Sequence, residues 1–334
     1  MIRFGVIGTG WITEDFIRAA TLIEDFNLCA IYSRSEKKAK EFSDKYKIKD
    51  IYTDLNAMAE SEIIDAVYIA SPNSLHFGQA VLFMKNKKHV LCEKPIASNL
   101  SELKDMIKVA KENNVLLMEA LKSTFLPSFK AIQKNLYKLG KVRRYLGNFS
   151  KYSSRYDLFK EGKSPNAFNL NFSSGALMDL GVYCIYPLIA LFGKPISIKA
   201  TSLLLESGVD GEGSISLKYE HMDGVIMYSK ITDSFSPSEI QGEKGTMIIE
   251  KISNMENIKI HYRNGEVEDI SQVHLENNMY YEVKEFINLI NNKKLESDIN
   301  TYELSIDVMV IMDNVRKQCG IVFPADMETH IVIK

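Results

Sequence analysis

Ile2-Arg3-Phe4-Gly5-Val6-Ile7-Gly8-Thr9-Gly10-Trp11-Ile12-Thr13 is the stretch on which the fold of this chain turns. A mostly apolar run ends directly in Gly8-Thr9-Gly10, and a helical pattern opens at Trp11. Gly8 permits a tight turn and Gly10 lets the backbone approach a pyrophosphate. The free N–H groups and the dipole at the helix start stabilise such an anion. The third glycine of the dinucleotide fingerprint is Thr13 here, which predicts slightly wider spacing between helix and strand. Thr9, Trp11 and Ile12 join the two glycines as candidate cofactor contacts.

Outward from this turn, strand-like runs recur at residues 2–7, 28–32, 66–70, 89–92 and 115–118. Helical patterns fill the gaps at 11–23, 36–46, 74–85 and 101–112. Continuous apolar strands between amphipathic helices predict a parallel sheet covered on both faces, hence a doubly wound α/β Rossmann domain over 1–119. After Pro127 the texture changes. Residues 120–334 read as an α+β domain with an open, largely antiparallel sheet: a helix at 128–138, a strand at 142–151, a polar loop at 155–171 and a helix at 173–192. Strands follow at 199–205, 213–219, 224–231, 246–250, 258–262 and 266–270, and helices at 275–290 and 302–318. Asn264-Gly265 predicts a two-residue hairpin. Val225-Ile226-Met227-Tyr228 places apolar residues on both faces of its strand, so a homodimer or homotetramer joined through this sheet is expected.

Composition narrows the class. The net charge of −2 and the lack of a basic block argue against nucleic acid and anionic membranes as partners. The longest apolar run, 182–192, is too short for a bilayer and Pro187 interrupts it. The N-terminus has no signal-peptide pattern. The four cysteines and six histidines are scattered without ligand spacing, so no metal and a reducing cytoplasm are expected.

Two further places carry chemistry. NAD-binding units end their second strand in an acidic residue that bonds the ribose hydroxyls. This chain instead has Ser33-Arg34-Ser35. Small donors and a bidentate cation suit a ribose 2′-phosphate, so NADP(H) is favoured over NAD(H). Ligands of open α/β sheets sit at the carboxyl ends of strands. Two such ends run into Ser71-Pro72-Asn73-Ser74-Leu75-His76 and into Glu93-Lys94-Pro95. A lysine there is placed to exchange a proton, although Glu93-Lys94 alone reads equally as a surface ion pair.

The glycine turn, the Ser71-Pro72-Asn73…His76 segment and Glu93-Lys94-Pro95, in that order, resemble the glucose–fructose oxidoreductase/inositol dehydrogenase/rhizopine-catabolism (Gfo/Idh/MocA) family. The resemblance implies that Lys94 contacts the reacting substrate oxygen beside the nicotinamide, and that the Lys94–Pro95 bond is cis. It also singles out Gly175-Ala176-Leu177-Met178-Asp179-Leu180-Gly181-Val182-Tyr183. Here the family pattern Gly-x-x-x-Asp-x-Gly-x-His has Tyr183 in place of histidine. That substitution is similar to the branch holding dihydrodiol dehydrogenase, xylose dehydrogenase and glucose–fructose oxidoreductase. Asp179 and Tyr183 lie four apart, on one helical face. On its own Tyr183 reads as a packed aromatic. By the resemblance it shares proton handling with Lys94, whose ammonium favours the phenolate of a group with an ordinary pKa near 10. Asp179 then orients the lysine or a substrate hydroxyl. The stretch before the motif departs from the family's glycine run, reading Ser173-Ser174-Gly175. Arg155, Asn166 and Asn169 of the polar loop are further candidates for substrate hydroxyls or a carboxylate.

The reading that results is an NADP(H)-dependent oxidoreductase moving a hydride to or from a sugar, polyol or related hydroxy/keto compound. Two alternatives share the fold: a non-catalytic NAD(P)-sensing regulator, and an NAD-dependent glycosidase.

Overall fold

The computed structural model describes residues 1–327 as two compact units. In the first, β1 (Ile2–Ile7) leads through the glycine turn into α1 (Trp11–Ala20), then β2 (Phe26–Tyr32) and α2 (Glu36–Tyr46). A short β3 (Asp50–Tyr52) and α3 (Leu55–Glu60) precede β4 (Ala66–Ile69), α4 (His76–Lys85), β5 (His89–Glu93), α5 (Leu100–Asn113) and β6 (Leu117–Ala120). The strands form one parallel sheet in the order β3-β2-β1-β4-β5-β6. The order reverses between β1 and β4, so the crevice of a doubly wound sheet opens at the end of β1. Every residue of β4 is buried, as a strand covered on both faces requires. Local signals mark the helix ends. Ser35 and Asn99 accept N–H bonds from Lys38 and Glu102 at the starts of α2 and α5, and Lys47 and Asn114 close the same helices in the left-handed region.

The first unit takes in 1–121 and also Leu275–Tyr302. A single boundary at 119/120 places that later segment in the second domain; the contacts of the chain return it to the first. Its helix α9 (Tyr280–Asn291) instead buries Phe286 against Phe4, ring centroids 5.9 Å apart. Asn277 donates to the Asp15 carbonyl at 2.7 Å and Asn291 to Asp25 at 2.9 Å.

The second unit holds α6 (Pro127–Asn135), β7 (Val142–Ser150), α7 (Ser154–Lys160) and α8 (Val182–Phe192). Seven strands follow: β8 (Ser197–Leu204), β9 (Asp210–Lys218), β10 (Asp223–Ser229), β11 (Ser238–Gly242), β12 (Gly245–Lys251), β13 (Glu256–Tyr262) and β14 (Val267–Asp269). Helix α10 (Tyr302–Cys319) comes last. The eight-stranded sheet runs β14-β13-β12-β11-β7-β10-β9-β8 and is antiparallel except where β10 pairs with β7. One face carries α8: the Tyr145 hydroxyl donates to the Cys184 carbonyl at 2.9 Å, and a Cβ on Gly147 would meet Cys184 Cβ at 2.9 Å. The opposite face leaves Leu203 53% and Met227 37% exposed around a cleft of ≈ 460 Å³.

Three local expectations change. Residues 155–171 are not simply a loop, since α7 occupies Ser154–Lys160 with Ser153 as its cap. The 173–192 helix begins as a π-helical turn at Leu177–Gly181 before α8. The Asn264-Gly265 hairpin has a three-residue connection: Tyr262 donates to Glu266 at 2.9 Å, and Gly265 enters the left-handed region (φ +90) while Asn264 does not. One left-handed residue suits the three-residue loop, whereas the two-residue turn needs two. The apolar helical run Leu170–Phe192 has the length and composition of a membrane span, unlike its 182–192 portion, but 72% of its apolar window is buried within the protein, as in a core helix.

Candidate functional site

At the end of β1, Gly8 adopts φ +112, and a Cβ there would stand 2.7 Å from the Ala70 carbonyl oxygen. Any side chain would both strain the backbone and push β1 from β4. We predict that Gly8→Ala destabilises the first unit by about 1–3 kcal/mol and lowers nucleotide affinity; a denaturation midpoint equal to wild type would contradict this. Gly10 is extended, and a Cβ added to it meets nothing within 4 Å. Its bareness therefore serves no neighbour in the protein and leaves open the approach to the start of α1, which no side chain caps. That is the cradle a pyrophosphate fits. Thr13 is wholly buried beneath the turn, with its Oγ1 unpartnered. Thr9 and Ile12 are half-buried, and Trp11, first residue of α1, is 72% exposed.

At the end of β2, Ser33 donates its N–H to the Tyr52 carbonyl and accepts the Ser35 N–H on its hydroxyl at 3.3 Å. Arg34 is exposed and makes no hydrogen bond or ion pair among the described residues. An uncommitted guanidinium beside a half-buried hydroxyl fits a phosphate dianion, and no carboxylate ends the strand to bind bare ribose hydroxyls.

The ends of β4 and β5 are joined by His76. Its Nδ1 lies 3.0 Å from the Pro95 carbonyl and its Nε2 2.9 Å from the Ser71 carbonyl. Burial pushes the imidazole below its ordinary pKa, and the Lys94 ammonium adds to this against the two carbonyls. His76, expected as a cofactor contact, thus lies buried between two loops; its neutral ring has one N–H, which donates to one of these carbonyls while the other carbonyl faces the second nitrogen. Ser71 is likewise bonded to Gln79 at 2.7 Å, while Pro72 and Asn73 lie half-buried at the start of a 3-10 turn. The Lys94–Pro95 bond is cis. Glu93 is buried and accepts the Tyr68 hydroxyl at 2.5 Å, and Lys94 follows it half-buried.

In the second unit, Gly175 (φ +138) opens the other motif, and a Cβ there would overlap Asp210. Asp210 is buried at the start of β9 and accepts the Leu177 N–H at 2.7 Å. Burial holds its carboxyl up to about 6, against the backbone N–H bonds and the Lys230 charge that lower it. The native state therefore binds a proton between about pH 4 and 6 that the unfolded chain has released, so this group removes stability as pH rises through that window. We predict that Asp210→Asn gains stability relative to wild type between pH 4 and 7, by up to roughly 3 kcal/mol. Denaturant unfolding at several pH values checks this; a pH-independent difference would refute it.

The π-helical turn carries Asp179, and α8 carries Tyr183, whose half-buried ring meets Phe149 edge-on at 5.6 Å. Such turns are frequent at functional sites. Asp179 pairs with Lys230 at 2.7 Å. Lys230 has no signal in the sequence beyond its polarity within the apolar strand expected over 224–231; in the structure it stands one residue past the end of β10. Of the loop candidates, Arg155 and Asn166 are exposed and their side chains make no hydrogen bond among the described residues, whereas Asn169 spends its side chain capping a 3-10 turn and bonding Ser164. Among the described residues no group of histidine, cysteine and carboxylate side chains has the geometry of a metal site.

Residues 2–121 match the family described as "Oxidoreductase family, NAD-binding Rossmann fold", and residues 137–248 match the "GFO/IDH/MocA C-terminal domain". Scyllo-inositol 2-dehydrogenase (NADP(+)) IolU of Bacillus subtilis (strain 168) is 53% identical over 98% of this chain and 99% of its own. The chain belongs to the Gfo/Idh/MocA family. Its relatives in that family also include a trans-1,2-dihydrobenzene-1,2-diol dehydrogenase of Danio rerio, 30% identical over 98% of this chain and 99% of that one. Among solved structures, KijD10, a 3-ketoreductase from Actinomadura kijaniata crystallised with NADP and TDP-benzene, superposes with a TM-score of 0.85 over 95% of this chain and 98% of that one. At 21% identity that likeness speaks to the fold alone. The expectation of an oxidoreductase of this family, with a parallel Rossmann sheet and a largely antiparallel second sheet, holds.

Proposed function

We propose that this chain is an NADP(H)-dependent dehydrogenase of cyclic polyols or closely related sugars, with Lys94 and Tyr183 handling the proton and Asp179 in support. What carries the reading is the 53% identity, over 98% of the chain, to an NADP-dependent scyllo-inositol dehydrogenase. The uncommitted Arg34 beside Ser33 supports the same cofactor from an independent direction.

When bound, the nicotinamide accepts or supplies the hydride. The protein's share is binding, aim and proton management. Gly8 to Ile12 and the start of α1 would hold the pyrophosphate, Ser33 and Arg34 the 2′-phosphate, and the Ser71-Pro72-Asn73 strand end and Glu93 would contribute the remaining cofactor contacts. The Lys94 ammonium stabilises negative charge on the reacting oxygen, and the Tyr183 phenol gives or takes its proton. Asp179 accepts from a substrate hydroxyl and so fixes which carbon faces the hydride. The exposed Leu203 and Met227 support a homodimer or homotetramer through the open face of the second sheet.

The test is oxidation of scyllo-inositol, its stereoisomers and simple aldoses with NADP⁺ and with NAD⁺, followed at the nicotinamide absorbance band. Reduction of NADP⁺ by one or more cyclic polyols is expected. No reduction with any substrate would overturn the reading, and a preference for NAD⁺ would overturn its cofactor half.

A further inference from the structure

We propose that Lys230 is a positioning residue of the reaction: an internal ammonium that fixes the Asp179 carboxylate toward the substrate. The inference rests on the functional reading above, in which Asp179 meets a substrate hydroxyl.

Lys230 stands one residue beyond β10, held by its own backbone: its N–H donates to the Gly211 carbonyl at 2.8 Å and its carbonyl accepts the Ser153 N–H at 2.9 Å. Its side chain is 6% exposed. The ammonium donates to Asp179 Oδ2 at 2.7 Å and lies 5.4 Å from the centroid of the buried Phe168 ring. Tyr156 and Phe159, with centroids 5.6 and 5.5 Å from that ring, close the apolar side. Asp210, buried on β9, contributes a second nearby negative charge. Three further parts of the chain therefore converge on this amine: the π-helical turn, the 3-10 turn around Phe168 and the start of β9.

The arrangement is asymmetric. The cation is enclosed, while the Asp179 side chain is 44% exposed. A buried pair that served stability alone would be a poor device, because desolvation of the ammonium offsets the attraction, and an apolar side chain of equal length often does as well. What the apolar side chain cannot do is hold a carboxylate in one place at an exposed surface. Fixing that place matters for a polyol, which offers several similar hydroxyls, since a small misplacement of the reacting carbon lowers turnover steeply.

The experiment compares wild type, Lys230→Met and Lys230→Arg in the full chain. Lys230→Met is expected to melt within a few degrees of wild type and to keep its KM for NADP⁺. Its kcat with the polyol is expected to fall about 10- to 100-fold and its KM for the polyol to rise. Lys230→Arg, which keeps the charge, retains more of the turnover than Lys230→Met. Adding Asp179→Asn to Lys230→Met costs little more, because the two act as a unit. A folded Lys230→Met with wild-type kinetics, or losses that simply multiply in the double variant, overturns the inference. So does a crystal structure of Lys230→Met with the Asp179 carboxylate in its original place, whatever the substrate proves to be. Should Lys230→Met fail to fold, a Lys230→Arg variant no more active than Asp179→Asn overturns it. Failure of the wild type to oxidise any polyol overturns the functional reading instead, and the crystal structure then still decides the positioning role.

Discussion

Lys94→Met lowers kcat/KM by about 10³-fold while leaving the Kd for NADPH within a factor of about three, the range expected when a single proton-handling group is lost. The methionine keeps the length and apolar bulk of the lysine stem, so the half-buried position stays filled. The preceding Glu93 stays anchored, because its bond to the Tyr68 hydroxyl does not involve Lys94. His76 stays buried between the Ser71 and Pro95 carbonyls, so the two strand ends keep their spacing. Removed is the positive charge at the end of β5 to which the proposed function assigns stabilisation of the developing charge on the substrate oxygen. Steady-state kinetics with the best polyol and calorimetric titration of NADPH measure the two halves separately. Full turnover in Lys94→Met would reject the lysine as the proton-handling group. A parallel collapse of NADPH affinity would make it a cofactor contact instead.

Arg34→Ala weakens NADPH binding by about 10- to 100-fold, the worth of a charge-assisted, bidentate contact to phosphate. It leaves NADH affinity nearly unchanged. The contrast follows from the surroundings of Arg34. Its guanidinium has no partner among the described residues, so removing it orphans nothing and disturbs no packing. Ser33 and Ser35 remain locked to each other and to the start of α2, keeping the strand end in shape. Equal losses for the two cofactors would sink the 2′-phosphate role; salt dependence confined to NADPH would strengthen it.

Much of the first unit was legible because its signals are local. A strand buried on both faces writes itself as an apolar run, and β1 begins and ends where that run does. Helix α2 likewise keeps its expected bounds, since Ser35 caps one end and Lys47 closes the other. Elements too short for periodicity to register, β3 and α3, were not seen. The return of α9 to the first unit has no local signature either: Phe286 is an ordinary apolar residue of an amphipathic helix until Phe4 is found against it. The site divides in the same way. The glycine turn, Ser33-Arg34 and Lys94 stand at strand ends, where ligands of open α/β sheets are expected. Lys230 meets Asp179 across a separation of 51 residues, and nothing near either one announces the other. His76 is the reverse case: its place in a motif suggests a ligand contact, and the burial of its ring between two carbonyls is a fact the sequence does not announce.

The chain has one tryptophan, and it is the solvent-facing first residue of the helix that follows the glycine turn. Its emission overlaps the near-ultraviolet absorption of reduced nicotinamide, so the protein carries a built-in optical gauge at the cradle itself. Quenching of that single indole, with energy transfer to a reduced cofactor but not to an oxidised one, reads out occupancy and redox state together without any label. None of the substitutions described above removes Trp11, so the same gauge serves every variant, including those whose turnover is too slow to follow.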